Sequence, residues 1–188
     1  YLIRIDFSDL TGGQSSQAAA AASLAESSEH IRTMSYNKTW ITATVSANVY
    51  RLAQTTSYYA NGGSGLNSEL LRDGRNAFRV NKSGADAAID IGPVDNTGSG
   101  GTSLGDYDIV GVLFGDVGMD SSGVYYAGLA GGGNLWMQNS ISVDVFTHEL
   151  GHNYGLGHAS FWQTSDGSVS GTGTSVEYGD DFDVMGGG

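Results

Sequence analysis

Apolar and polar residues alternate from Leu2 to Phe7, with Ile3, Ile5 and Phe7 set against Arg4 and Asp6. A repeat of two predicts a half-buried strand. Thr11-Gly12-Gly13 breaks it, and the spacing then changes. From Gln14 to about Met34 an alanine run at 18–22 favours helix, and Leu24, Ile31 and Met34 share one side at helical spacing. This segment is expected to be a scaffold helix laid over a sheet. Thr39 to Leu52 is rich in Trp, Ile, Thr, Val and Tyr and predicts a second strand. Asn61 to Gly65 reads as a loop. Leu66 to about Val80 reads as a helix with Leu66, Leu70 and Phe78 on one face, weakened by Gly74. Asp95 to Gly101 is a second glycine-rich loop.

Tyr107 to Phe114 is the most continuous apolar run and predicts a central strand buried on both faces. Asp116 to Gly123 reads as a turn region and Val124 to Ala130 as a strand. Gly131-Gly132-Gly133 interrupts the pattern before Leu135-Trp136-Met137 resumes it; Trp136 and Met137 read as packing residues. Ser142 to Tyr154 predicts a helix through Val145, Phe146 and Leu150, ended by Gly155. A polar, glycine-rich stretch follows His158, and Val184-Met185 is the last apolar pair. Strands interspersed with helices predict an α+β fold with a mixed sheet, as a single domain over residues 1–188.

Composition removes several classes of function. A formal charge of −12 argues against a nucleic-acid partner, because phosphate binding needs a basic face. The absence of cysteine excludes disulfides, thiolate metal sites and thiol nucleophiles together. No apolar run approaches the ~20 residues of a membrane span. The chain opens directly on a strand, so any export signal or pro-segment is expected upstream. The sequence is silent on oligomeric state.

The chemistry concentrates in His148-Glu149-Leu150-Gly151-His152-Asn153-Tyr154-Gly155-Leu156-Gly157-His158, which holds three of the four histidines. Residues four apart on a helix project from the same face, so His148 and His152 can reach one ion. Glu149 is turned by about 100° from His148 and can lean over a metal-bound water as general base. A continued helix would carry His158 ~15 Å from His148. The chain must therefore break and fold back, and Gly155 stands where a left-handed residue is needed. Three imidazoles with an open position predict a catalytic zinc site rather than a closed structural one. His30, alone in its helix, reads as a partly exposed surface histidine.

The pattern His148-Glu149-x-x-His152-x-x-Gly155-x-x-His158 with Met185 downstream resembles the metzincin clan of zinc endopeptidases. Within the clan, Glu149-Leu150-Gly151-His152-Asn153, Glu177-Tyr178-Gly179-Asp180 and Asp183-Val184-Met185-Gly186 look most like the gametolysin (autolysin-like) family. The resemblance implies a zincin/metzincin-like fold: a twisted mixed five-stranded sheet with a backing helix and an active-site helix. Residues 1–155 would form the upper lobe and 156–188 the start of a lower lobe. The chain stops before the S1′ wall and C-terminal helix that the clan normally carries, so a longer protein with a truncated C-terminal lobe here is expected.

The resemblance further implies that Met185 supports the zinc ligands from below without touching the metal. It implies that Gly128, Leu129 and Ala130 are the edge strand that pairs with the substrate backbone; an ordinary packed strand is the competing reading. The implied function is a secreted, extracellular metalloendopeptidase that hydrolyses matrix or cell-wall proteins through a zinc-bound water and Glu149. The alternatives are a non-enzymatic binding or adhesion module on the same fold, and a latent form held by an upstream pro-segment. Asp180, Asp181 and Asp183 cluster near Met185. They read as a solvated or hydrogen-bonded acidic loop ahead of a Ca2+ site. The aspartates at 106, 108, 116 and 120 read the same way.

Overall fold

The structure is a computed structural model and describes residues 1–60, 64–93, 105–117 and 126–187. Residues 61–63 of the first expected loop, the expected loop at 95–101, residues 118–123 of the expected turn with Asp120, and residues 124–125 of the expected strand lie outside the described residues.

Five strands form one mixed sheet: β1 (Leu2–Asp6), β2 (Val45–Arg51), β3 (Val110–Phe114), β4 (Gly128–Gly131) and β5 (Asn134–Gln138), in the order β2-β1-β3-β5-β4. β1 pairs in parallel with β2 and β3, β3 pairs in parallel with β5, and only the edge strand β4 is antiparallel. The alternation read in the sequence sorts residues onto the two faces. Ile3, Ile5, Val110, Val112, Phe114 and Trp136 enter one core, whereas Leu2, Leu113, Leu135 and Met137 enter the other.

Both faces are covered because β3 is buried along its whole length. Helices α1 (Gln17–Met34) and α4 (Val143–Asn153) bury Leu24, Ile31, Phe146 and Leu150 on one face. The opposite face is closed by a one-turn helix, α2 (Thr56–Ala60), and by α3 (Ser64–Asn81), through Tyr59, Leu70, Leu71 and Phe78. The expected single backing helix is thus one of two long covering helices. Gly74, which weakened the prediction of α3, has a packing reason: a methyl there would come within 2.8 Å of Val112 Cγ1. The bare backbone lets α3 lie close on the sheet.

Several boundaries differ from the sequence pattern. The second strand is shorter than Thr39–Leu52 because residues 39–44 run outside the ladder, with only Leu2 N–H reaching the Thr44 carbonyl. Helix α1 starts at Gln17, where the Ser16 hydroxyl accepts from Ala19 N–H at 3.2 Å. Ser64 and Gly65, read as loop, belong to α3. The stretch after His158, read as polar and irregular, contains a hairpin of β6 (Ser160–Thr164) and β7 (Gly173–Glu177). Its Phe161, Trp162 and Val176 remain exposed, so burial leaves no apolar signature there. No helix among the described residues is long and apolar enough to cross a membrane.

Candidate metal centre and active-site cleft

Helix α4 carries the first two histidines. Ser142 caps it, its side chain accepting from Val145 N–H at 3.2 Å. At the other end Leu156 N–H bonds Gly151 O and Gly155 N–H bonds His152 O, each at 3.0 Å, and Gly155 has φ +85°. This pair of bonds is a Schellman closure, and it needs the left-handed residue that glycine supplies without strain. The closure has a direct chemical result. It returns the Leu156 carbonyl to His152 Nδ1, 2.9 Å away, and starts the chain back toward His158.

The three imidazoles converge. Their ligand nitrogens lie within 4.8 Å of one another, and no other group of three or more His, Asp or Glu among the described residues meets that condition. Each Nδ1 is taken: His148 by the Val184 carbonyl at 2.9 Å, His152 by Leu156 O, and His158 by Glu177 Oε1 at 2.6 Å. Carbonyls and carboxylates only accept, so each Nδ1 carries the hydrogen and each Nε2 offers a lone pair inward. His158 Nε2 and His152 Nε2 stand 3.1 Å apart. Two acceptor nitrogens that close repel each other unless a cation or a proton lies between them. The donor set fits a borderline metal ion such as zinc, held by His148, His152 and His158.

Glu149 is 7% exposed, and its Oε2 is buried without a hydrogen-bond partner. It lines a cleft of about 480 Å³ with His148, Val145, Gly128 and the segment Asp181–Val184. Burial raises the Glu149 pKa above the ordinary carboxylate value, partly opposed by the nearby His152 and His158. His30 also lines this cleft, as a half-buried residue of α1. A second cavity of about 550 Å³ lies behind α4, between Leu24, Trp40 and Leu150, and none of the three histidines lines it.

Met185 is buried directly beneath α4: a methyl on Gly151 would collide with its Sδ. The turn that carries it is tight. Asp183 Oδ1 accepts from Met185 N–H at 2.8 Å, Asp180 Oδ1 accepts from Phe182 N–H at 3.0 Å, and Gly186 N–H bonds Asp183 O. Two members of the acidic cluster are therefore engaged in shaping the turn. Ala159 N–H bonds Met185 O at 2.8 Å, which ties the segment after His158 to the same turn.

Gly128, Leu129 and Ala130 lie in β4, the half-buried outermost strand of the sheet. A methyl on Gly128 would come within 2.7 Å of Glu149 Cγ and 2.8 Å of Val145 Cγ1. The strand therefore runs in close contact with the face of α4 that carries Val145 and Glu149. Two further residues, to which the motif spacing assigned no part, join this frame. Asn153 Oδ1 accepts from Gly133 N–H at 2.8 Å and its Nδ2 donates to Asn134 O at 3.0 Å, linking α4 to the β4–β5 turn. Tyr178 directs its hydroxyl to His158 Nε2 at 2.7 Å. The only sequence sign of Tyr178 was its place in Glu177-Tyr178-Gly179-Asp180.

A family model described as Peptidase M66 matches residues 113–182, less than half of the chain. The matched segment runs from the end of β3 through α4 and the hairpin, and contains all three histidines and Glu149. The match supports a metallopeptidase, and the histidine triad could bind the metal ion. No curated protein matches the chain.

Proposed function

We propose that the protein is a zinc-dependent endopeptidase, working outside the cell on matrix or cell-wall polypeptides as the gametolysin resemblance implies. One observation carries the reading. Three inward-facing imidazole nitrogens converge, and the first of them, on His148, shares a cleft with Glu149, whose Oε2 is buried without a partner. A metal held by His148, His152 and His158 would supply Lewis acidity, polarising a carbonyl and acidifying water.

The chain's own residues do the rest. Glu149 takes a proton from the attacking water and hands it to the departing amine. Among the described residues the outer edge of β4 has no strand partner, and an extended substrate adding there as a further strand would bring its backbone past Glu149. The Nδ1 acceptors Val184 O, Leu156 O and Glu177 fix the orientation of each imidazole.

The test is substitution Glu149→Gln. The variant should keep one zinc per chain and lose at least about a hundredfold in casein or peptide hydrolysis, the usual scale of a general base. Full activity in this variant, or equal activity of the wild type with and without chelator, would remove the reading. A protein that binds polypeptide without cutting it under any metal load would instead be the adhesion module.

A further inference from the structure

Tyr178 follows the last residue of β7 and has φ +62°. A residue with a β-carbon is disfavoured in this left-handed region, and such strain persists where the surroundings over-determine it. Here it places a ring. The phenol of Tyr178 packs on His158 with ring centroids 3.9 Å apart, and its hydroxyl reaches Nε2 at 2.7 Å. The neighbouring residue, Glu177, holds the other nitrogen of the same imidazole. Consecutive residues at one strand end thus grip both nitrogens of His158.

The direction of the second bond follows from the first. Glu177 accepts from Nδ1–H, so Nε2 is an acceptor and the Tyr178 O–H is the donor. Once Nε2 turns its lone pair to a metal, that hydroxyl must find another acceptor. Its oxygen already stands at the nitrogen that faces His152 Nε2, and its ring lies 5.9 Å from that of His148, inclined by 20°. A donor aimed at the reacting centre and deprived of its resting partner is suited to an oxygen that becomes negative during the reaction.

Resting on the peptidase reading above, we infer that Tyr178 is a catalytic residue whose hydroxyl donates a hydrogen bond to the scissile carbonyl oxygen as it gains charge. The water oxygen bonds to the carbonyl carbon, and the C=O π pair moves onto the carbonyl oxygen, where Tyr178 O–H holds it. Glu149 takes the water's proton. When the C–N bond breaks, that pair re-forms C=O, and the nitrogen leaves with its bonding pair and the proton from Glu149. The Tyr178 proton stays on its own oxygen.

The test compares wild type and Tyr178→Phe, which keeps ring and backbone and removes only the hydroxyl. In the zinc-loaded protein kcat should fall about 100-fold, the scale of one oxyanion donor, with KM within about twofold. Binding of a phosphinate peptide, which mimics the tetrahedral state, should weaken by a similar factor in calorimetry, while binding of the product peptides stays unchanged. Zinc content should remain one per chain. Undiminished kcat, unchanged phosphinate affinity, or loss of zinc from the variant would each overturn the inference. Should Tyr178→Phe misfold, Tyr178→Asn, whose side chain suits left-handed backbone, gives the same readouts. Active wild type with an equally active variant defeats only the role of Tyr178. Zinc-loaded wild type that cuts no peptide defeats the peptidase reading, and this inference with it.

Discussion

At the scale of single residues, the site is built as much from missing side chains as from present ones. Gly151 sits inside α4, where alanine would ordinarily stabilise a helix by up to about 1 kcal/mol. A methyl there meets Met185 Sδ. Gly151→Ala should therefore reverse the usual sign and destabilise by about 1–3 kcal/mol, the range for overfilling a packed site. Thermal melting reads the change, and a variant more stable than wild type would show that Met185 is free to move aside. Gly128 acts likewise against Glu149 and Val145, letting the edge strand approach the carboxylate. None of these contacts is visible in the sequence. The histidine spacing was legible because helix geometry alone puts His148 and His152 on one face. Tyr178 was not, because its position depends on a left-handed residue at the end of a hairpin.

At the scale of elements, a period-two pattern located β1, helical spacing located α1 and α4, and a continuous apolar run located β3, because each buries its apolar residues. The same reasoning missed the β6–β7 hairpin, because its strands face solvent and carry no buried stripe. The signal present was Asp166-Gly167, a turn dipeptide between two short β-prone segments. A polar device unreadable in advance joins β1, β2 and the short helical turn at Gly84–Asp86. Asp86 accepts from the hydroxyls of Tyr1 and Tyr50, from Ala47 N–H, and from the backbone and side-chain N–H groups of Asn48.

Desolvation alone would raise the Asp86 pKa, but these donors outweigh it and hold it below the ordinary value. A depressed folded pKa contributes stability that is present above the unfolded value of about 3.9 and lost as pH falls through the folded one. Asp86→Asn should cost about 3 kcal/mol at neutral pH, since an amide nitrogen would face existing donors. The difference should shrink below about pH 4. Urea unfolding at the two pH values measures it, and a pH-independent difference would show that the charge of Asp86 is not what the donors stabilise.

At the scale of the whole molecule, the sheet order and the covering of both faces belong to an α+β fold, with the edge strand β4 lying against Glu149. Metal binding should also appear as stability. At free zinc one hundred times its dissociation constant, linkage gives about 2.7 kcal/mol, roughly 8 °C in melting temperature for a chain of this size. His152→Ala should abolish most of that shift. An equal shift in the variant would place the zinc elsewhere.

Among the described residues the two sheets share no strand pairing. His148 and His152 stand on a helix packed against the large sheet, whereas the imidazole of His158 is clasped by the end of the small one. An ion shared by all three would be a cross-link between the helix and the hairpin. A tight turn at Val184 and Met185 also reaches α4 near that point, through the Val184 carbonyl on His148 and the Met185 sulfur beneath Gly151. Such an ion would close the helix and the hairpin on each other like a clasp, so that its loss would loosen the arrangement of the three imidazoles.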